Sequence, residues 1–95
     1  MMKLSNEQIE ERLSTLINWE INEKGEIEKE FIFDSYLSGI DFSGKVGNEA
    51  ENKAHHPEIT IQFKKVIIRS KTHDSDGLTE KDFSLAHAVE RLYDY

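Results

Sequence analysis

The chain has 95 residues, enough for one small domain, and its 37% apolar and 33% charged residues describe a soluble globular fold rather than a disordered segment. There is no cysteine, which excludes disulfides and thiolate metal sites. The formal charge of −7 has the wrong sign for a phosphate-binding surface, so direct nucleic-acid binding is not expected.

The first residues carry no apolar run and no stretch approaches the length of a membrane span, so neither a signal peptide nor membrane insertion is expected, and the cytoplasm is the expected compartment. Ser5-Asn6-Glu7-Gln8 is a capping-box pattern. Ile9, Leu13, Leu16 and Ile17 follow at helical spacing, which predicts a first helix from about Asn6 to Ile17. Trp19 and Ile21 alternate with polar neighbours as a short strand, with Trp19 a core residue. Asn22 to Gly25 then makes a turn in which Gly25 can take a positive φ. From Ile27 to Phe33 the alternation is clean: Ile27, Lys29, Phe31 and Phe33 share one face, and Glu28, Glu30 and Ile32 the other. These two segments read as a hairpin whose aromatic face lies under helices.

Asp34 or Ser35 can cap a second helix extending to about Ala54. Gly39, Gly44 and Gly47 weaken it, each by up to about 1 kcal/mol against alanine. They are read either as tolerated or as points of close approach for another helix. Pro57 biases His56 out of helical conformation and ends the element. Ile59, Ile61 and Phe63 alternate, Lys64-Lys65 begins a turn, and Val66, Ile68 and Ser70 alternate again: a second hairpin. Asp74 to Gly77 is a loop by composition. Thr79 to Asp82 has capping-box spacing, and a last helix runs from about Glu80 to Leu92. The expected fold is α+β, a two-layer sandwich of four antiparallel strands with three helices on one face, in the order α-β-β-α-β-β-α, as a single domain over residues 1–95.

Three of the four histidines flank the second hairpin: His55 and His56 before it, His73 after it. A hairpin brings its outer ends side by side, so the three imidazoles are expected near one point. Such a group is either a metal site or acid-base machinery. Three histidines would suit a catalytic zinc with an open position. Adjacent histidines, however, point to different sides of an extended chain, and the spacing matches no zinc signature. Histidine titrates near neutrality without special tuning, and two imidazoles on opposite sides of a substrate could add one proton and remove another, as loss of water requires. Glu51, four residues before His55, is expected one helical turn from its ring. The plain alternative is that His55 and His56 cap a helix and His73 ends a strand. His87, without polar company, is read as a surface residue with no role.

Glu51, His55-His56-Pro57, Phe63, His73 and Asp82, at these spacings, resemble pterin-4a-carbinolamine dehydratase. Phe31 and Phe33 before the second helix, Ala50-Glu51 before the double histidine, and Gly77-Leu78-Thr79 before Asp82 agree, so the resemblance covers nearly the whole chain. It implies dehydration of a 4a-hydroxytetrahydropterin to quinonoid dihydropterin in tetrahydrobiopterin recycling, without a metal and with no cofactor beyond the pterin substrate itself. It implies that His55, His56 and His73 are the catalytic histidines: His55 and His73 as the acid-base pair, His56 binding and positioning the pterin. Pro57 and the segment holding Thr72, Asp74 and Ser75 would line the pocket, and Glu51 would support His55. It also implies a homodimer by sheet-edge pairing or a homotetramer through helices, and an aromatic amino-acid hydroxylase as pathway partner. Ile59, where many members carry an aromatic residue, and Ala54, where many carry an acidic residue or Asn, depart from the pattern and bear on substrate affinity. The other function class open on this fold is a binding or assembly module, resembling partners of a homeodomain transcription factor or of carbon-fixation machinery.

Overall fold

A computed structural model describes residues 2–95. Its elements are α1 (Asn6–Leu13), β1 (Glu20–Ile21), β2 (Ile27–Ile32), α2 (Tyr36–Lys53), β3 (Glu58–Gln62), β4 (Lys65–Ser70), a short 3-10 turn (His73–Ser75) and α3 (Glu80–Leu92). The four strands form one antiparallel sheet in the order β1-β2-β4-β3. The two hairpins thus join along β2 and β4, and β3 is left as an outer edge. No helix among the described residues is long and apolar enough to cross a membrane.

Period-two alternation decides which face is covered. Ile27, Lys29 and Phe31 of β2 and Val66, Ile68 and Ser70 of β4 are buried beneath the helices. Phe42, Val46 and Ala50 of α2 and Phe83, Leu85, Ala86 and Val89 of α3 complete the core. Each large side chain removed from water there contributes about 1.5–3 kcal/mol. Phe31 and Phe42 pack at a tilt with ring centroids 4.9 Å apart, and Tyr93 packs on Phe31 at 5.0 Å. The opposite face is mostly polar, with Ile67 and Ile32 its apolar members. Arg69 reaches across three strands, pairing with Glu28 of β2 at 3.3 Å and Glu58 of β3 at 3.0 Å. Both carboxylates lie directly opposite it in register, so a one-residue slip would break the ladder.

The Ser5 capping box forms as expected, with its hydroxyl accepting from the Gln8 amide and its own amide donating to the Gln8 side chain. The first helix nevertheless stops at Leu13 and not at Ile17. The Ser14 and Thr15 hydroxyls donate to the carbonyls of Glu11 and Arg12, and Asn18 takes a positive φ of 62°. Such local bonds compete with helix propagation. Ile17 is consequently exposed, while Leu13 and Leu16 still pack on the core. The second hairpin turns one residue earlier than expected: Gln62 pairs with Lys65, so Phe63-Lys64 is the loop and Lys64 takes the positive φ. Gly39 is a site of close approach, but to the sheet and not to another helix: a Cβ there would lie 3.3 Å from Val66 Cγ2. Gly44 and Gly47 face open space and are simply tolerated. His87 does have polar company, since its Nε2 lies 3.1 Å from the Thr15 hydroxyl.

Lys29 is the one charged member of the β2 core face. Its ammonium donates to both Glu90 oxygens at 2.9 and 3.0 Å and to the Tyr95 hydroxyl at 2.7 Å. Burial pulls its pKa down, but the hydrogen bonds it donates to Tyr95 and Glu90 outweigh it and leave the pKa raised. The Tyr95 hydroxyl is raised too, by burial first and by Glu90 next. The folded state therefore holds both protons more tightly than the unfolded chain. That stabilisation is complete below the unfolded-state values and is lost as pH rises through the folded ones. Urea midpoints should fall as pH climbs past the ordinary lysine range, and Lys29→Met should flatten that alkaline slope; an unchanged slope would remove the assignment.

Candidate active site

The site lies where three elements end. The last turn of α2 closes on Ala54, which caps the helix in the left-handed conformation at φ 52° and ψ 39°. For a residue with a Cβ this costs about 1–2 kcal/mol. The turn reverses the chain within one residue, and the His55 amide donates back to Ala50 O at 3.0 Å. Pro57 then directs the chain into β3. On the other side, β4 ends at Ser70 and the His73–Ser75 turn follows, closed by a bridge between Thr72 and Gly77.

His55, His56 and His73 line one cleft of about 260 Å³, together with Ala54, Lys71, Thr72, Asp74 and Lys81. The convergence expected from the hairpin is thus present in the structure. Pro57, Ser75 and Glu51 adjoin this cleft without lining it. Among the described residues, no group of three or more histidine or carboxylate side chains is arranged to hold a metal ion.

The three imidazoles are held very differently. His55 is nearly buried, with 11% of its side chain exposed, and its Nε2 lies 2.7 Å from Asp82 Oδ1. Asp82 is fully buried. Its Oδ1 also accepts from the Ser70 hydroxyl at 2.6 Å. Its Oδ2 accepts from the Thr72 hydroxyl at 2.7 Å and the Thr79 amide at 2.9 Å. An ionised carboxylate offers about four lone-pair positions, and here four donors fill them. A carboxylate that only accepts requires His55 Nε2 to carry a proton. In the neutral ring Nδ1 is then the bare nitrogen, available to act as a base. His56 is the opposite case, 63% exposed, with its Nε2 3.4 Å from Glu51. His73 is exposed on the 3-10 turn.

One expectation changes here. Glu51 does not support His55: the reversal at Ala54 turns His55 away from the helical register, and Glu51 faces His56 instead. The group that orients His55 is Asp82, 27 residues further along the chain. Its visible role in the sequence is the capping box of α3, and the structure confirms that role through the Thr79 amide. One carboxylate does both jobs. Spacing alone signals only the cap, because Ser70, Thr72 and His55 reach Asp82 through tertiary packing.

A family model described as pterin 4 alpha carbinolamine dehydratase matches residues 2–92. The chain belongs to this family. Relatives that carry the name "Putative pterin-4-alpha-carbinolamine dehydratase" include one from Acidobacterium capsulatum, 41% identical over 97% of this chain and 99% of its own. Another, from Roseiflexus sp., is 42% identical over 95% of this chain and 96% of its own. The fold is similar to a crystal structure of a transcriptional coactivator/pterin dehydratase from Brucella melitensis, with a TM-score of 0.91 and 25% identity over 97% of this chain and 99% of that one. Within this pterin dehydratase family fold, buried Asp82 ties two lining residues of the cleft, His55 and Thr72, to the core. Asp82→Asn keeps the shape but turns an amide N–H₂ toward donors. It should lower unfolding free energy by about 3 kcal/mol in urea titrations, since buried donors lose their acceptor. A loss within about 0.5 kcal/mol, the usual range of surface changes, would show the network to be dispensable.

Proposed function

We propose that the protein dehydrates a 4a-hydroxytetrahydropterin to quinonoid dihydropterin and water, by histidine general acid-base catalysis. The observation that carries this reading is one cleft holding a fixed imidazole and two exposed ones, in a chain of the pterin dehydratase family. In the reaction the C4a–O bond breaks and the oxygen leaves as water after gaining a proton. N5 loses its proton, and an N5=C4a double bond forms. His55, held as the Nε2–H tautomer by Asp82, takes the N5 proton on Nδ1, and Asp82 stabilises the resulting imidazolium. His73, as imidazolium, gives its proton to the departing hydroxyl. His56, tethered by Glu51, positions the ring, and Thr72 and Asp74 form the adjoining wall. The pterin is the substrate, and no metal or further cofactor takes part. Each proton transfer is worth about 10²–10⁴-fold in rate.

The gathering of three histidines in one cleft favours catalysis over a purely assembling role, because a docking surface has no use for such a set. The reading also takes in a cytoplasmic protein that serves an aromatic amino-acid hydroxylase. A second copy would add at β3, the outer strand, beside exposed Ile61 and Phe63. The test is His73→Ala, with the breakdown of 4a-hydroxytetrahydropterin followed in the ultraviolet. Because His73 is exposed, the fold should survive, while the catalysed rate falls by about 10²-fold or more. Near-wild-type turnover would remove the assignment.

A further inference from the structure

Behind His55 lies a second cleft of about 260 Å³, lined by Lys53, His55, Glu80, Lys81 and Ser84. His55 and Lys81 belong to both clefts, so the two share a wall. Lys53 comes from the last turn of α2 and Lys81 from the first turn of α3. Neither forms an ion pair among the described residues; the Lys53 ammonium donates to the Ser84 hydroxyl at 3.2 Å. The nearby carboxylates are already engaged. Glu80 is gripped by Arg12 at 2.9 and 2.5 Å, which holds its pKa below the usual range, and Asp82 is buried with its lone pairs filled. On the far lip Lys71 is partnered by Asp76 at 3.2 Å.

The chain carries 19 acidic residues against 12 basic ones, so carboxylate partners are plentiful. Two ammonium groups left without one, on the rim of a cleft that adjoins the three histidines, make a local positive field on an acidic protein. Ammonium groups of this kind suit an anionic oxygen cluster as point charges. We infer that Lys53 and Lys81 form an anion subsite that takes a phosphate or carboxylate on the side chain of the substrate. The inference rests on the dehydratase reading for the ring itself, and it makes these two lysines specificity determinants rather than catalytic residues. The ring occupies the histidine cleft, and its substituent passes His55 to reach the lysines.

The test is calorimetric binding at low ionic strength of three stable 7,8-dihydropterins that differ only at the side chain. One carries a neutral hydroxymethyl group, one its phosphate ester and one a carboxylate. The phosphate or the carboxylate compound should bind about tenfold tighter than the neutral one, as two partly exposed charge pairs would give. Which of the two gains more identifies the source of the anion. Lys53→Gln should cost the favoured anionic ligand about threefold and leave the neutral ligand unchanged. Salt at about 0.5 M should shrink the advantage, because the pairs are solvent-screened. Equal affinity for all three ligands, or a Lys53→Gln loss that is the same for neutral and charged ligands, would overturn the subsite. Turnover of neutral 4a-hydroxytetrahydropterin is measured separately. A charge preference without turnover supports the subsite and sinks the dehydratase reading. Turnover without a charge preference sinks the subsite alone, and absence of binding by all three overturns both.

Discussion

A carboxylate removed from water stays ionised only if its lone pairs are filled, because burying an unpaired charge costs far more than a small fold can offset. Asp82 meets that condition with donors from four places: Ser70 at the end of β4, Thr72 beyond it, the Thr79 amide at the start of α3, and His55 after α2. Each donor lies at an element boundary, where backbone and hydroxyl groups are otherwise left without partners. The constraint therefore does two things together. It pins α3 against the open end of the second hairpin, and it fixes one imidazole with a defined tautomer.

The asymmetry of the cleft follows from this. His55 is immobilised by burial and by a charge-assisted bond, whereas His56 and His73 stand in solvent with long or no contacts to protein charge. One ring is thus fixed in place, and two are free to reorient within the same cleft. The cost appears nearby as backbone strain: Ala54 takes the left-handed conformation so that the helix can end and His55 can turn inward.

Much of this was legible in the sequence, for local reasons. Capping boxes at Ser5 and Thr79 are short-range patterns, and both form. The alternation of Ile27 to Phe31 and of Val66 to Ser70 assigns the buried face, and a hairpin must bring His55 and His73 together at its ends. What escaped was decided by single backbone angles or by distant partners. The early stop of α1 depends on two hydroxyls folding back and on Asn18. The exchange of partners, with Glu51 on His56 and Asp82 on His55, depends on the Ala54 conformation, and no residue spacing announces a left-handed alanine. Lys29 read correctly as a member of the core face, but only the packing of α3 shows Glu90 and Tyr95 waiting for its charge.

The central claim is that Asp82 holds His55 with its proton on Nε2 and leaves Nδ1 for the substrate. Long-range proton–nitrogen correlation spectra, recorded where the rings are neutral, report the tautomer of each histidine directly. The account predicts His55 almost wholly as the Nε2–H form, with a slowly exchanging, downfield ring proton, while His56 and His73 exchange freely with solvent. A His55 ring found as the Nδ1–H form, or exchanging as fast as the other two, would contradict it.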